Sequence, residues 1–135
     1  MHFRDGDGRR IASNSSGGNL TLYGSSFLNN GGSGVLVLTH STLRAAAFGN
    51  AFQGNASDGI TVQGASEAIV GASNSINNNG GAGVSIGDLS FVLFRAPANI
   101  TGNHGVFDVV CQPQFSATRG ARVNISGGST NCVEP

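Results

Sequence analysis

The sequence predicts an all-β fold, a single-stranded right-handed parallel β-helix: a solenoid of about four coils with roughly 22–25 residues each. Three observations carry this. Asn30, Asn55, Asn79 and Asn103 recur at spacings of 25, 24 and 24. Three residues before each stands a large apolar residue: Phe27, Phe52, Ile76 and Ile100. After each Asn comes a short small-residue stretch and then Gly34, Gly59, Gly83 or Gly105. The first three glycines lead into Val35-Leu36-Val37, Ile60-Thr61-Val62 and Val84-Ser85-Ile86. Apolar–x–apolar in one register is the period-2 signature of a half-buried strand.

Taken in chain order, residues 1–18 read as an irregular segment or partial coil, residues 19–110 as the coils, and residues 111–135 as a last partial coil and cap. A start in mid-coil would expose unpaired strand edges, so it predicts preceding coils of a longer parent chain, a stacked partner, or residues 1–18 folded over the open end. Within each coil a second strand follows the first. Ser41, Ser66 and Ser90 mark its entry, and beyond them Leu43, Ala68 and Val92 align, as do Ala45, Val70 and Phe94, then Ala47, Ala72 and Ala96. Leu20 and Leu22 are placed opposite Ala45 and Ala47, one coil earlier. The intervening residues, Arg44 and Arg95 among them, are expected to point outward.

A coil of this length cannot bury its own apolar row. Stacked at about 4.8 Å, each strand bonds to its neighbours above and below, and like sits on like. An Asn repeated at one turn can pass side-chain amide hydrogen bonds up the stack. Asn tolerates the left-handed backbone of a sharp corner, and Gly supplies the same freedom elsewhere. Leucine-rich repeats fail for want of their LxxLxL run, and helical repeats because Gly and Asn interrupt every candidate helix. Calcium-binding nonapeptide repeats need GGxGxD, whereas Val35-Leu36 and Val84-Ser85 follow the two GGxG stretches and no Asp arrives.

Composition narrows the partners. Gly is 22 of 135 residues, charged residues are 10% and the net charge is zero. No basic cluster exceeds Arg9-Arg10, so nucleic acid is not expected as a partner. No run of 18 apolar residues predicts a membrane-inserted helix. The start MHFRDGDGRR lacks the apolar core of a signal peptide, which suggests a protein that stays inside or a mature or truncated piece of a longer one. The two cysteines, Cys111 and Cys132, are too far apart for CxxC chemistry. Either they are unrelated thiols or they close a loop of about 20 residues with a disulfide, adding about 3 kcal/mol. The bridge would hold the terminal cap and imply an oxidising compartment, extracellular or at the cell surface.

The FLNN–GGSGVLV and INNNGGAGVSI segments, on coils of about 24 residues, resemble the pectate-lyase-like right-handed parallel β-helix superfamily over roughly residues 19–110. The resemblance implies the fold and not one activity, since lyases, hydrolases, adhesins, phage tail proteins and inert modules share it. Its enzymes act on polysaccharides along an outward strand face, using clustered Asp, often with Ca²⁺, and an Arg or Lys base, or paired carboxylates. Here the outward positions of the first strand are Leu36 and Leu38, Thr61 and Gln63, Ser85 and Gly87. None titrates usefully or binds a hard cation, so no catalytic residue, metal or cofactor is assigned. Ca²⁺ would have to find its ligands elsewhere.

The weaker candidates sit at corners and on the second strand. Asp58 and Asp88 could serve as ligand-binding carboxylates, although Asp at a turn commonly serves local hydrogen bonding. Asp108 falls where the repeat breaks, and Asp5 and Asp7 lack the remaining ligands of an EF-hand loop. Arg44 and Arg95 could grip a sugar carboxylate bidentately, or merely keep an exposed sheet soluble. His40 and His104 read as surface histidines, and Ser41, Ser66 and Ser90 as corner chemistry. Tyr23 and Phe48 could stack on a sugar. Sequons at Asn14, Asn19, Asn55, Asn99 and Asn124 are expected in so Asn-rich a chain. The function expected is a non-catalytic extracellular module associated with polysaccharide or cell-surface binding. The alternatives are the C-terminal fragment of a polysaccharide lyase or glycoside hydrolase whose catalytic coils lie upstream, and a structural spacer or adhesin stalk.

Overall fold

The computed structural model describes residues 2–3, 9–12, 18–45, 49–95, 98–112, 125–126 and 128–132. These residues form strands and turns without a helix. The first coil contributes β1 (His2–Phe3), β2 (Arg9–Ala12) and β3 (Asn19–Thr21). The second has β4 (Ser26–Leu28), β5 (Val35–Leu38) and β6 (Thr42–Ala45), and the third β7 (Ala51–Gln53), β8 (Ile60–Val62) and β9 (Glu67–Gly71). The fourth has β10 (Ser75–Asn77), β11 (Val84–Ile86) and β12 (Phe91–Arg95), followed by β13 (Ala98–Thr101), β14 (Val109–Cys111) and β15 (Ile125–Ser126). Every third strand joins one sheet: A in the order β1-β4-β7-β10-β13-β15, B in the order β14-β11-β8-β5-β2, C in the order β12-β9-β6-β3. All pairings are parallel.

The apolar columns lie between the three sheets. Phe27, Phe52, Ile76 and Ile100 stack from sheet A, with the first two rings parallel at 5.1 Å. Val35, Ile60, Val84 and Val109 stack from sheet B, alongside Val37, Val62 and Ile86. Sheet C supplies Leu43, Ala68, Val92 and Ala45, Val70, Phe94. Full burial of each large member stabilises by about 1.5–3 kcal/mol, and the coils share that gain with both neighbours.

Two registers differ from the sequence alignment. Leu20 pairs with Leu43, and Leu22 donates its N–H to Arg44 O, so Leu22 lies beside Ala45 and not a residue pair further on. The first turn of the solenoid is 23 residues here against 25 and 24 later. A slip of two residues keeps every side chain on its face, so alternation alone cannot detect it. In the last coil Val84 pairs with Val109, which puts Asp108 and not Gly105 opposite Gly83. Gly105 instead stacks on Gly81 through an N–H to carbonyl bond, and the extra length bulges out at Val106, which is 88% exposed. Ala72 is exposed past the end of β9, whereas Ala47 and Ala96 lie outside the described residues.

The corner between sheets A and B carries the Asn ladder. The backbone N–H and side-chain Nδ2 of Asn30 both donate to Asn55 Oδ1, those of Asn55 to Asn79 Oδ1, and those of Asn79 to Asn103 Oδ1, at 2.8–3.2 Å. Each lower Nδ2 also reaches a carbonyl of the coil above: Phe27 O, Phe52 O and Ile76 O. The left-handed residue of this corner falls one place earlier, at Asn29, Gly54, Asn78 and Gly102. The ladder asparagines are selected for their amides and not for that conformation. Gly34 and Gly59 are selected for space, since a Cβ on either would stand 2.7 Å from the carbonyl oxygen of the next coil's glycine.

A second ladder at the C-to-A corner was not read from the sequence. Ser25 N–H donates to Asn50 Oδ1, and the N–H and Nδ2 of Asn50 donate to Asn74 Oδ1. Asn74 Nδ2 closes the corner on Gly71 O and Ala45 O. The 24-residue spacing of Asn50 and Asn74, five residues ahead of Asn55 and Asn79, was the available signal.

The last coil is terminated by side chains that imitate a further coil. Asp108 Oδ1 accepts from the N–H and Nδ2 of Asn103, the place that the next Asn Oδ1 would fill. Its Oδ2 accepts from the N–H and Oγ of Ser129. Val109 N–H donates to Ser129 O, while the Asn131 amide both accepts from Cys111 N–H and donates to Cys111 O. The Cys111–Cys132 disulfide, S–S 2.10 Å, ties this segment to β14.

Candidate functional site

Both ladders are buried, and a concave, solvent-open surface forms at the corner between sheets B and C. That corner is built alike in three coils. Thr39-His40, Gly64-Ala65 and Asp88-Leu89 each place two consecutive residues at positive φ, between 49° and 66°. For residues other than Gly this conformation costs about 1–2 kcal/mol each. It is held by bonds between coils, His40 N–H to Gly64 O at 2.8 Å and Ala65 N–H to Asp88 O at 2.7 Å. Beneath it Ser41 N–H donates to Ser66 Oγ and Ser66 N–H to Ser90 Oγ, so the serines bind the corners of successive coils together.

The double reversal leaves a groove of about 170 Å³ lined by His40, Ser41, Thr42, Ala65, Ser66, Glu67, Leu89 and Phe91. Its order follows from the repeat. Buried Ser41 and Ser66 form the floor line, His40, Ala65 and Leu89 one wall, and Thr42, Glu67 and Phe91, paired across β6, β9 and β12, the other. The groove therefore runs along the solenoid axis, with rungs about 4.8 Å apart. Thr42 Oγ1 donates to Glu67 Oε1 at 3.3 Å, which positions the carboxylate over the middle rung. Leu89 is 51% exposed and Phe91 partly so.

The residues singled out from the sequence are spread over the molecule. Arg44 and Arg95 are both exposed on the outer face of sheet C, but Arg44 is in register with Ile69 and Leu93, and Arg95 with Gly71. Two coils and one residue pair separate their backbones by about 12 Å. Asp58 is engaged by the fold: Oδ1 accepts from Ala82 N–H and Oδ2 from Thr61 Oγ1, both at 2.9 Å. Asp88 is exposed at the reversal, where its carbonyl holds Ala65 and Ser90. His40 lines the groove, whereas His104 is exposed in the last coil. Tyr23 is 63% exposed, and Phe48, Asp5, Asp7, Asn14 and Asn124 lie outside the described residues. The sequon residue Asn55 is buried in the ladder, while Asn19 and Asn99 are exposed.

Asp108 holds a perturbed carboxyl. Partial burial raises it, but the bonds donated by Asn103 and Ser129 outweigh that and hold it below the usual carboxylate range. Its neighbours are structural, so the perturbation reports ladder termination. No group of three His, Cys, Asp or Glu residues is placed to hold a metal ion among the described residues. Glu67, Leu89 and Phe91 were not singled out from the sequence. Their signal was position: each lies one residue to either side of the repeating Ser66 or Ser90.

The architecture defines a parallel β-solenoid protein whose polar interior is spent on self-stacking and which carries an axial, outward groove among its described residues. No protein family, curated protein or solved structure matches the chain. The disulfide fits an oxidising environment, and no helix among the described residues is long and apolar enough to cross a membrane.

Proposed function

We propose that this chain is a non-catalytic β-helix module of pectate-lyase-like type, extracellular or at the cell surface, that associates with polysaccharide. The observation carrying the proposal is the axial groove between sheets B and C. It offers a carboxylate, an imidazole and a hydroxyl beside an exposed Leu and a half-exposed Phe, on a rigid frame. Binding sites combine apolar lining with a few convergent polar groups in this manner. A continuous groove parallel to the stack suits a polymer, because every coil offers the same backbone shape. The Asp-rich strand face that serves the superfamily's enzymes has its counterpart here in Leu36, Thr61, Gln63 and Ser85, which supports binding over turnover.

The test is mobility of the purified chain in native gels cast with neutral and acidic polysaccharides, each with and without Ca²⁺. Retardation by either class supports the reading, and unchanged mobility across the panel overturns it in favour of a structural stack of coils.

A further inference from the structure

We propose, resting on that polysaccharide reading, that the ligand is a neutral glycan strand lying along the coil axis in the groove at the B-to-C corner. The sheet C arginines do not recognise it.

Three features support this. The first is charge. Among the described residues Glu67 is the only charged side chain lining the groove, and it stands at the middle rung. A carboxylate there accepts hydrogen bonds from sugar hydroxyls and repels a uronate or sulfated chain, so the same group selects for one class and against the other. Thr42 engages Oε1, which leaves Oε2 without a hydrogen bond among the described residues and able to accept one from a ligand. The arginines that would favour an acidic chain share the outer face of sheet C but do not line the groove, Arg44 standing two residues beyond Thr42 and Arg95 two coils and one residue pair further on.

The second feature is the distribution of polarity along the axis. The rungs read His40 with Thr42, then Ala65 with Glu67, then Leu89 with Phe91. Hydrogen-bonding groups occupy the first two rungs, and the last is an apolar platform beside the carboxylate. A sugar ring has the matching character, hydroxyls at its rim and C–H groups on its face. Ala65, the smallest wall residue, leaves the middle open between the His and Leu walls.

The third is depth. At about 170 Å³ the groove is smaller than the roughly 300–1,000 Å³ of sites that engulf a small molecule. It takes one edge of an extended chain and leaves the rest in solvent. The backbone reversals forming the wall are held by bonds between coils, so the site is preorganised and its affinity is not reduced by a loop-ordering cost.

The experiment uses the whole chain and its variants in affinity gels containing hydroxyethyl cellulose or galactomannan as neutral probes, and polygalacturonate or alginate as acidic ones. The expected result is retardation by at least one neutral polymer. That affinity falls about tenfold or more in Glu67→Gln and in Phe91→Ala, and is unchanged in the Arg44→Gln/Arg95→Gln double variant. Glu67→Gln alters an exposed side chain without changing its shape, so it decides the matter if Phe91→Ala lowers stability. Retardation only by acidic polymers, abolished in the arginine variant, overturns the groove assignment while the polysaccharide reading stands. Retardation by a neutral polymer that is unaffected by Glu67→Gln likewise overturns it. No retardation by any polymer overturns the polysaccharide reading itself.

Discussion

The A-to-B and B-to-C corners solve the same problem, reversing the chain once per coil, in opposite ways. At A-to-B the repeated residue is Asn, its side chain points inward, and identity is retained through Asn30, Asn55, Asn79 and Asn103. At B-to-C only the buried Ser is repeated. The flanking residues point outward and change from coil to coil, His40 to Ala65 to Leu89 and Thr42 to Glu67 to Phe91. A buried amide has partners above and below, so each rung constrains the next. An outward side chain has solvent for a neighbour and is free to vary. At the B-to-C corner these variable side chains line a groove, where ligand-facing chemistry can accumulate.

The sharpest break of that contrast is Asn55→Ala. It removes the acceptor of two Asn30 donors and the donor to Phe27 O and Asn79 Oδ1. Each stranded buried group costs about 1–3 kcal/mol, so the variant is expected to lose at least about 3 kcal/mol in urea unfolding, whereas Ala at Glu67 should change stability by less than about 0.5 kcal/mol. Equal losses at the two sites would remove the distinction.

Next in size is the terminus. Cys111→Ser/Cys132→Ser is expected to cost about 3 kcal/mol at the cap. Contacts in a solenoid are between nearest neighbours, so hydrogen exchange should accelerate at Val109 and Cys111 while Val37 and Val62 keep their protection. Uniform acceleration would show that the cap is not a separate unit. Gly59→Ala is expected to destabilise by about 1–3 kcal/mol, since the new methyl meets Gly83 O and Ile76 Cγ2 at 2.7 Å; its thermal midpoint can be compared with that of Gly87→Ala, whose methyl would come no closer than 3.4 Å, to the Gln112 side chain.

A smaller effect tests the ladder's end by pH. The Asp108 carboxyl is depressed in the folded chain, so its contribution is present above the ordinary Asp value of about 3.9 and is lost as pH falls through the lowered one. Asp108→Asn should flatten the acid side of the stability profile and weaken the cap at neutral pH, because an amide donor then faces Ser129 N–H. The smallest expected change is at Thr39→Gly. Relief of a β-branched residue at φ 54° is offset by the chain entropy of Gly, leaving a stabilisation below about 1 kcal/mol in the thermal midpoint.

The three parallel columns, the Asn ladder and the all-β class were legible in the sequence because stacking demands like on like at a fixed spacing. The disulfide was legible as one of two options, and the short distance between Cys111 and Cys132 selects it. Less accessible were the registers at the ends. Leu20 opposite Leu43 and opposite Ala45 both satisfy inward alternation, and only the backbone pairing distinguishes them. Asp108 read as a residue at the breakdown of the repeat, and in space it is the acceptor that lets the ladder stop.

By itself the sequence determined the fold class, the coil length and the residues that face inward, since burial and self-stacking act on periodic positions that a single chain displays. Only the tertiary structure decided where one coil sits on the next, which side chains end the stack, and that residues 24 and 25 apart gather into one axial groove. Those outcomes depend on distances across coils, and variable outward residues leave no periodic trace from which to infer them.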